Sequence, residues 1–318
     1  MIRDKITQHP RLHWFVNDVR SWLAPFLNVP FGVGAAPISN DIPFLFVVGA
    51  GRSGNTLFRR LLMERFQIYI PPETYVLPKV ADYRIRCRGL AWPSFVDLVI
   101  ASFEYHPEFE TFELGSLSEF AAEAKRYPEE EKNATSLLTG LYKYFAVRRQ
   151  IDFQWLGDKT PLNTLHLGRI GRLFPRARYV YLLRDGVDVT ASYLRAGIYR
   201  NLEDAALRGI KSQRSWEGFR EHLSRDRYIE VRYEDMVANP GEVMASVGRG
   251  LGIPERISGM NVGHALGDVG KRPHHENTMK SPSLSSIGKG RKELTETEKD
   301  RLRPILSGWL KHCHYPSL

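Results

Sequence analysis

Between Phe44 and Leu62 the chain reads FLFVVGAGRSGNTLFRRLL, an apolar run that breaks at glycines and resumes with a different periodicity. Phe44–Val48 is continuously apolar and β-prone, the pattern of a strand buried on both faces. From Thr56 onward, Leu57, Phe58, Leu61 and Leu62 recur at helical spacing. The glycine-rich turn between them lets backbone N–H groups close around an anion, and the following helix N-terminus adds its dipole and free donors. Such a unit requires a parallel sheet with helices packed on it. The turn departs from the nucleotide-binding pattern GxxxxGK, because Asn55 stands where that pattern places the Lys that holds terminal phosphates. Arg52 is the cation left inside the loop.

The remainder alternates in the same way. Tyr179–Leu183 and Tyr228–Arg232 read as further strands, each followed by a helix pattern, and Trp155-Leu156-Gly157-Asp158 reads as a strand end before Thr160-Pro161, an N-cap with proline at the first helical position. Strand–helix alternation predicts an α/β fold, a P-loop-type central parallel sheet flanked by helices. Residues 80 to 150 carry helical apolar sets such as Phe95, Leu98, Val99 and Phe103, and are expected to form a helical insertion over an acceptor cleft. Residues 1–40 read as an N-terminal helical extension and linker, and 41–318 as one α/β domain. The stretch 267–292 is rich in Gly, Pro, Ser and Lys/Arg and reads as a mobile basic loop, before a final helix opened by a Thr295/Glu298 capping box. Gln67–Ile70 reads as a short strand ending just before an acidic residue. Ligands of such sheets bind where strands end, and Arg52, Glu73, Lys159 and Arg184 each follow a predicted strand.

Charge narrows the partner. The formal surplus of +9 points to an anionic ligand or surface. The two cysteines, Cys87 and Cys313, match no metal-ligand spacing and favour a reducing compartment, and with no signal-like start the chain reads as cytoplasmic. No run is long enough to span a membrane, while the apolar face between Leu12 and Phe26 leaves peripheral membrane contact open. His274-His275 is a weak metal signal and no metal is expected.

Four segments resemble the sulfotransferases that use 3′-phosphoadenosine-5′-phosphosulfate (PAPS), especially the tyrosylprotein and carbohydrate branches. GRSGNTLFRRLL at 51–62 resembles the family's 5′-phosphosulfate loop, and LLRDGVDVTASYLR at 182–195 its 3′-phosphate element. PPETYVLP at 71–78 is similar to an acidic segment that supplies the catalytic base, and GDKTP at 157–161 to a Lys-containing segment. SSIGKGRKEL at 285–294 resembles a loop that closes over the nucleotide. Two departures stand out: Asn55 replaces the usual Thr, and Gly290 stands where relatives often carry Trp.

The resemblance implies transfer of a sulfuryl group from PAPS, leaving PAP, to a hydroxyl acceptor, carbohydrate or glycolipid ahead of peptide tyrosine. Gly51, Arg52, Ser53, Gly54, Asn55 and Thr56 would hold the 5′ end, Arg184 and Ser192 the 3′-phosphate with Arg195 assisting, and Ser286, Lys289 and Arg291 would close over it. Glu73 would be the general base and Lys159 would face the bridging oxygen. Two other functions compete. A kinase-like phosphotransferase would need a cation at position 55, and a non-enzymatic binder of polyanions would spread its cations among aromatics rather than gather them at strand ends. No nucleic-acid partner is expected, and the sequence leaves the oligomeric state open.

Overall fold

A computed structural model describes residues 42–318 other than 88, 257–261, 264–265, 268–278 and 280. The expectations for residues 1–40 and for His274-His275 lie outside the described residues.

Phe44–Gly49 forms β1, buried at every position as its unbroken apolar run requires. The other strands are β2 (Ile68–Tyr69), β3 (Trp155–Asp158), β4 (Arg178–Leu183) and β5 (Tyr228–Arg232), and the sheet order is β2-β3-β1-β4-β5. All pairings are parallel, with Leu45–Gly49 of β1 in register with Arg178–Leu182 of β4 and Phe44–Phe46 with Leu156–Asp158 of β3. The most apolar strand is therefore the central one, whereas the edge strand β5 keeps Glu230 exposed. After β1 the chain moves to one edge, and after β3 it crosses to the other. That reversal opens a crevice beyond the carboxyl ends of β1 and its neighbours.

Helix α1 (Asn55–Arg65) leaves β1 through the glycine turn and buries Phe58, Leu62 and Met63. Arg59 is also fully buried on it, its Nε donating to the Ile70 carbonyl at 2.9 Å. The segment between β2 and β3 is helical as its periodicity predicts, with α2 (Leu77–Arg86), α3 (Trp92–Glu104), α4 (Ser118–Ala124) and α5 (Ala134–Arg148). Val99, Phe103, Leu137, Leu141 and Phe145 join the main core around the sheet. Among the described residues, no helix is long and apolar enough to cross a membrane.

Beyond β3 the structure departs from a simple helix. Pro161–His166 is a 3-10 turn, and α6 covers Leu167–Leu173. The tighter turn brings Thr164 against the end of β1, where its Oγ1 accepts from Gly49 N at 2.8 Å and donates to Gly49 O at 2.9 Å. Next come α7 (Gly186–Arg195), α8 (Leu202–Arg220), α9 (Tyr233–Ala238) and α10 (Pro240–Leu251).

The expected mobile basic loop is not what the described part of 281–293 forms. Leu284–Ser286 is a 3-10 turn and Lys289–Glu293 a short helix, α11, which precedes α12 (Glu296–His312) with the Thr295/Glu298 capping box. The glycines are the reason it packs. Gly288 and Gly290 donate their N–H groups to the buried Asp188 carboxylate at 2.8 and 2.7 Å. A Cβ on Gly290 would lie 2.7 Å from the Val187 carbonyl oxygen, so the close approach to α7 admits glycine alone.

Candidate active site

Arg52, Glu73, Lys159 and Arg184 follow β1, β2, β3 and β4, so parallel strands deliver them to one edge of the sheet. A cavity of about 580 Å³ opens there. Gly51, Arg52, Gly54, Asn55 and Thr56 line its floor, and Glu73, Arg184, Ser192, Ser286 and Lys289 line its walls. Ser53 and Lys159 lie buried behind that lining and Arg291 stands outside it. Among the described residues, the 80–150 insertion contributes no lining side chain. Its apolar faces are used in the core, and it meets the site indirectly, through His106 stacked on Tyr75 with centroids 5.1 Å apart.

The turn after β1 is held by its own polar groups. Gly54 caps α1 with φ 89°, and a Cβ there would meet the Tyr233 ring at 2.4 Å. Asn55 does not reach towards a ligand as a lysine would; its Nδ2 donates to Ala50 O at 2.8 Å and ties the turn shut. The Ser53 amide also turns back, donating to Ala50 O at 3.3 Å, which leaves the amides of Gly54 to Thr56 as the helix-start donors without a carbonyl of their own helix. Arg52, with φ 68°, bridges to the next strand: its Nε donates to Ser192 Oγ at 3.2 Å and its carbonyl accepts from Arg184 Nη1 at 3.0 Å. Burial pushes the Arg52 pKa down, and the charges of Arg184 and Arg195 add to that.

Across the floor, Lys159 has no exposed surface, and its Nζ donates to Glu73 Oε1 at 2.6 Å and to Thr56 Oγ1 at 3.3 Å. Glu73 Oε2 accepts a short hydrogen bond from the Tyr75 hydroxyl. The carboxylate is thus held by one donor on each oxygen while its side chain keeps 16% exposure to the cavity.

At the other end, the Arg184 guanidinium lies 4.0 Å over the Tyr233 ring and its Nη2 donates to Ser286 O at 2.8 Å. Ser286 Oγ shares a hydrogen bond of 2.6 Å with Tyr233 OH. Arg184 Nε is buried with no hydrogen-bond partner. Arg291, expected to cover a phosphate, is instead engaged elsewhere: Nε donates to Asp185 Oδ2 at 2.7 Å, and its Nη groups donate to the carbonyls of Ser317 and Pro316. Asp185 in turn caps α7, accepting from Val187 N at 2.8 Å. Arg184-Asp185 is therefore two separate devices, one facing the cavity and one holding the corner.

The lining carries Arg52, Arg184, Arg195, Arg208 and Lys289 and one carboxylate, Glu73, which already has its lysine; behind the lining Arg184 faces Asp188 at 3.8 Å, and Arg195 and Lys289 pair with Glu293. That surplus, with an orphaned guanidinium N–H among it, fits a multiply charged anion bound at two ends, which is the charge pattern of a nucleoside carrying 5′-phosphosulfate and 3′-phosphate. Sequence reasoning assigned no role to several residues of this site. Tyr233 follows β5 as the other candidates follow their strands, and Tyr75 sits within the acidic segment, so position alone could have flagged both. Arg208 and Tyr199 arrive from α8 and the loop before it, with no local signal.

Comparison with known proteins gives the family and the fold. The description "Sulfotransferase family" matches residues 43–256. Protein-tyrosine sulfotransferase 2 of Gallus gallus is 22% identical over 280 residues, and the match spans 86% of this chain and 65% of that protein's length. Among solved structures, the sulfotransferase domain from the Synechococcus PCC 7002 olefin synthase aligns with a TM-score of 0.59 at 23% identity, covering 87% of this chain and 96% of that one. The sulfotransferase domain from the curacin biosynthetic pathway gives 0.56 at 20% identity, covering 87% and 99%. Both structural likenesses are of fold.

Proposed function

This chain belongs to the sulfotransferase family, and on that premise we propose that it transfers a sulfuryl group from PAPS to a hydroxyl of an amphipathic acceptor such as a glycolipid. One observation carries the reading. Arg52, Arg184 and Glu73 line a single cavity, so two anion-binding ends and a carboxylate serve one ligand space.

In this reading Arg52 and the amides of Gly54 to Thr56 bind the 5′ end, and Arg184, Ser192 and Lys289 bind the 3′-phosphate under the turn that carries Ser286. Bound PAPS supplies an activated sulfuryl group on a phosphate that departs. Glu73 accepts the proton of the acceptor hydroxyl at a carboxylate oxygen. Lys159 and Tyr75 orient that carboxylate, and Lys159 Nζ, which also touches Thr56, holds positive charge beside the cradle where negative charge grows. Arg291 acts from behind, fixing the corner that aims Arg184. The kinase-like alternative is weakened by Asn55, whose amide is used to brace the turn. The polyanion-binder alternative is weakened by the gathering of cations around one enclosed carboxylate–lysine pair.

The mouth supports the acceptor class. Leu162 and Ile198 line it while 36% and 51% exposed, an apolar rim suited to an acceptor with an apolar portion. Peptide tyrosine is the second reading, favoured by the likeness to the Gallus gallus protein. Labelled-sulfate transfer from PAPS to glycolipids, oligosaccharides and tyrosine peptides tests this directly. Glu73→Gln is expected to lower turnover by roughly 10²- to 10⁴-fold while PAP affinity stays within about twofold. Equal loss of both would remove the assigned base.

A further inference from the structure

Adjacent residues on an extended strand point to opposite sides, so Asp158 and Lys159 at the end of β3 face different surroundings. Lys159 turns to Glu73 and the cradle. Asp158 turns the other way, into the protein, and is 1% exposed. Its Oδ2 accepts from Thr74 Oγ1 at 2.8 Å and from Tyr142 OH at 2.7 Å, and its Oδ1 accepts from Asn163 Nδ2 at 2.7 Å. The backbone of Thr74 is tied as well, its N–H donating to Thr160 Oγ1 at 3.0 Å.

Thr74 lies between Glu73 and Tyr75, and those two side chains line the cavity while Thr74 points inward with 2% exposure. Thr74 is thus a peg, held at side chain and amide, that turns its neighbours outward. The segment needs the hold, because Tyr75 sits at φ 55°, a left-handed conformation that a tyrosine leaves unless its surroundings enforce it. In that turn the Tyr75 hydroxyl reaches back to Glu73.

We propose that Asp158 is a positioning residue for sulfuryl transfer: through Thr74 it fixes the Glu73–Tyr75 turn, and so the aim of the carboxylate, from the buried interior behind the cavity wall. The inference rests on Glu73 being the base. Asp158 accepts from two hydroxyls and one amide, an arrangement that suits an ionised carboxylate. The titratable and charged groups around it are Tyr142 from α5, Glu73 from the segment after β2, and Lys159 just past the end of β3, with Tyr69 of β2 near Tyr142. Burial raises the Asp158 pKa and the Tyr142 and Thr74 hydrogen bonds oppose that rise. Removal of the Tyr142 hydroxyl therefore moves the protonation of Asp158 to higher pH.

The test is a double-mutant cycle in the full chain. Asp158→Asn is expected to lower kcat by at least tenfold, leave PAP affinity within about threefold by calorimetry, and speed amide hydrogen exchange at Thr74. Added to Glu73→Gln, it should cause almost no further loss of turnover, because its effect runs through that residue. Tyr142→Phe, which removes one oxygen and leaves the ring in place, is expected to shift the acid limb of kcat upward in pH with little change in KM. If Glu73→Gln is inactive but Asp158→Asn keeps normal kcat, or if the two losses multiply, the positioning role is wrong and the base assignment stands. If Glu73→Gln keeps normal turnover, both fall together. Should Asp158→Asn fail to fold, Tyr142→Phe decides: an unmoved pH profile and unchanged exchange at Thr74 overturn the proposal.

Discussion

A buried lysine is costly unless a partner holds its charge, and Lys159 has its partner in Glu73. The same contact leaves Glu73 with only one further oxygen for a second donor, and Tyr75 fills it. Tyr75→Phe removes that donor while keeping the ring on His106. A hydrogen bond to a charged group contributes about 1.5–3 kcal/mol, so if this one orients the base, kcat should fall roughly ten- to hundredfold. PAP affinity should change little, since Tyr75 is remote from the Arg184 end in the hydrogen-bond network. Steady-state kinetics beside calorimetry would check it, and loss confined to KM would mean that Tyr75 contacts the acceptor instead. The residue scale also shows where sequence reading stops. Glu73 and Lys159 are legible because each follows a strand, but their contact across 86 positions is not, and the Thr74–Asp158–Tyr142 contacts on the hidden side carry no periodic signal at all.

At the scale of elements, the sheet was readable because β1 and β4 are short apolar runs followed by a helix start, and the boundaries of β5 and the α12 capping box fall where the spacing puts them. Composition misleads where glycine does structural work. The stretch around Ser286 to Lys292 has the residues of a flexible loop, yet Gly288 and Gly290 present N–H groups to Asp188, and Gly290 touches α7 with no room for a side chain. The contact partner lies about a hundred positions earlier in the chain, which is why local composition could not reveal it. Gly290→Ala sets a Cβ 2.9 Å from the Asp188 Cα and 2.7 Å from the Val187 oxygen, both parts of a helix that cannot step aside. Overpacking of this kind costs about 1–3 kcal/mol. The expected outcome is a lower Tm together with weaker PAP binding, because Ser286 and Lys289 move with α11. A lower Tm with unchanged PAP affinity would mean that the turn packs on α7 without serving the ligand.

Over the whole molecule, the two ends proposed to bind anions belong to different parts of the chain. One is the β1–α1 turn, and the other is the β4–α7 corner with the turn around Ser286 laid over it. Arg52 links them by its bonds to Ser192 and from Arg184, but among cations that repel one another. A ligand with anionic groups at both ends would relieve that repulsion and tie the two parts at once. A ligand with only one group would engage a single end. PAP at about 100 times its Kd should stabilise the fold by about 2.7 kcal/mol, or roughly 5 °C in Tm for a chain of this size. AMP, which lacks only the 3′-phosphate, should give less than half of that shift at the same concentration, and the difference should shrink as salt screens the cluster. Arg184→Ala should bring the PAP shift down to that of AMP, since the side chain removed is the one assigned to the missing phosphate. Equal shifts for PAP and AMP on the unmodified chain would separate Arg184 from the 3′-phosphate and break the two-ended reading of the cavity.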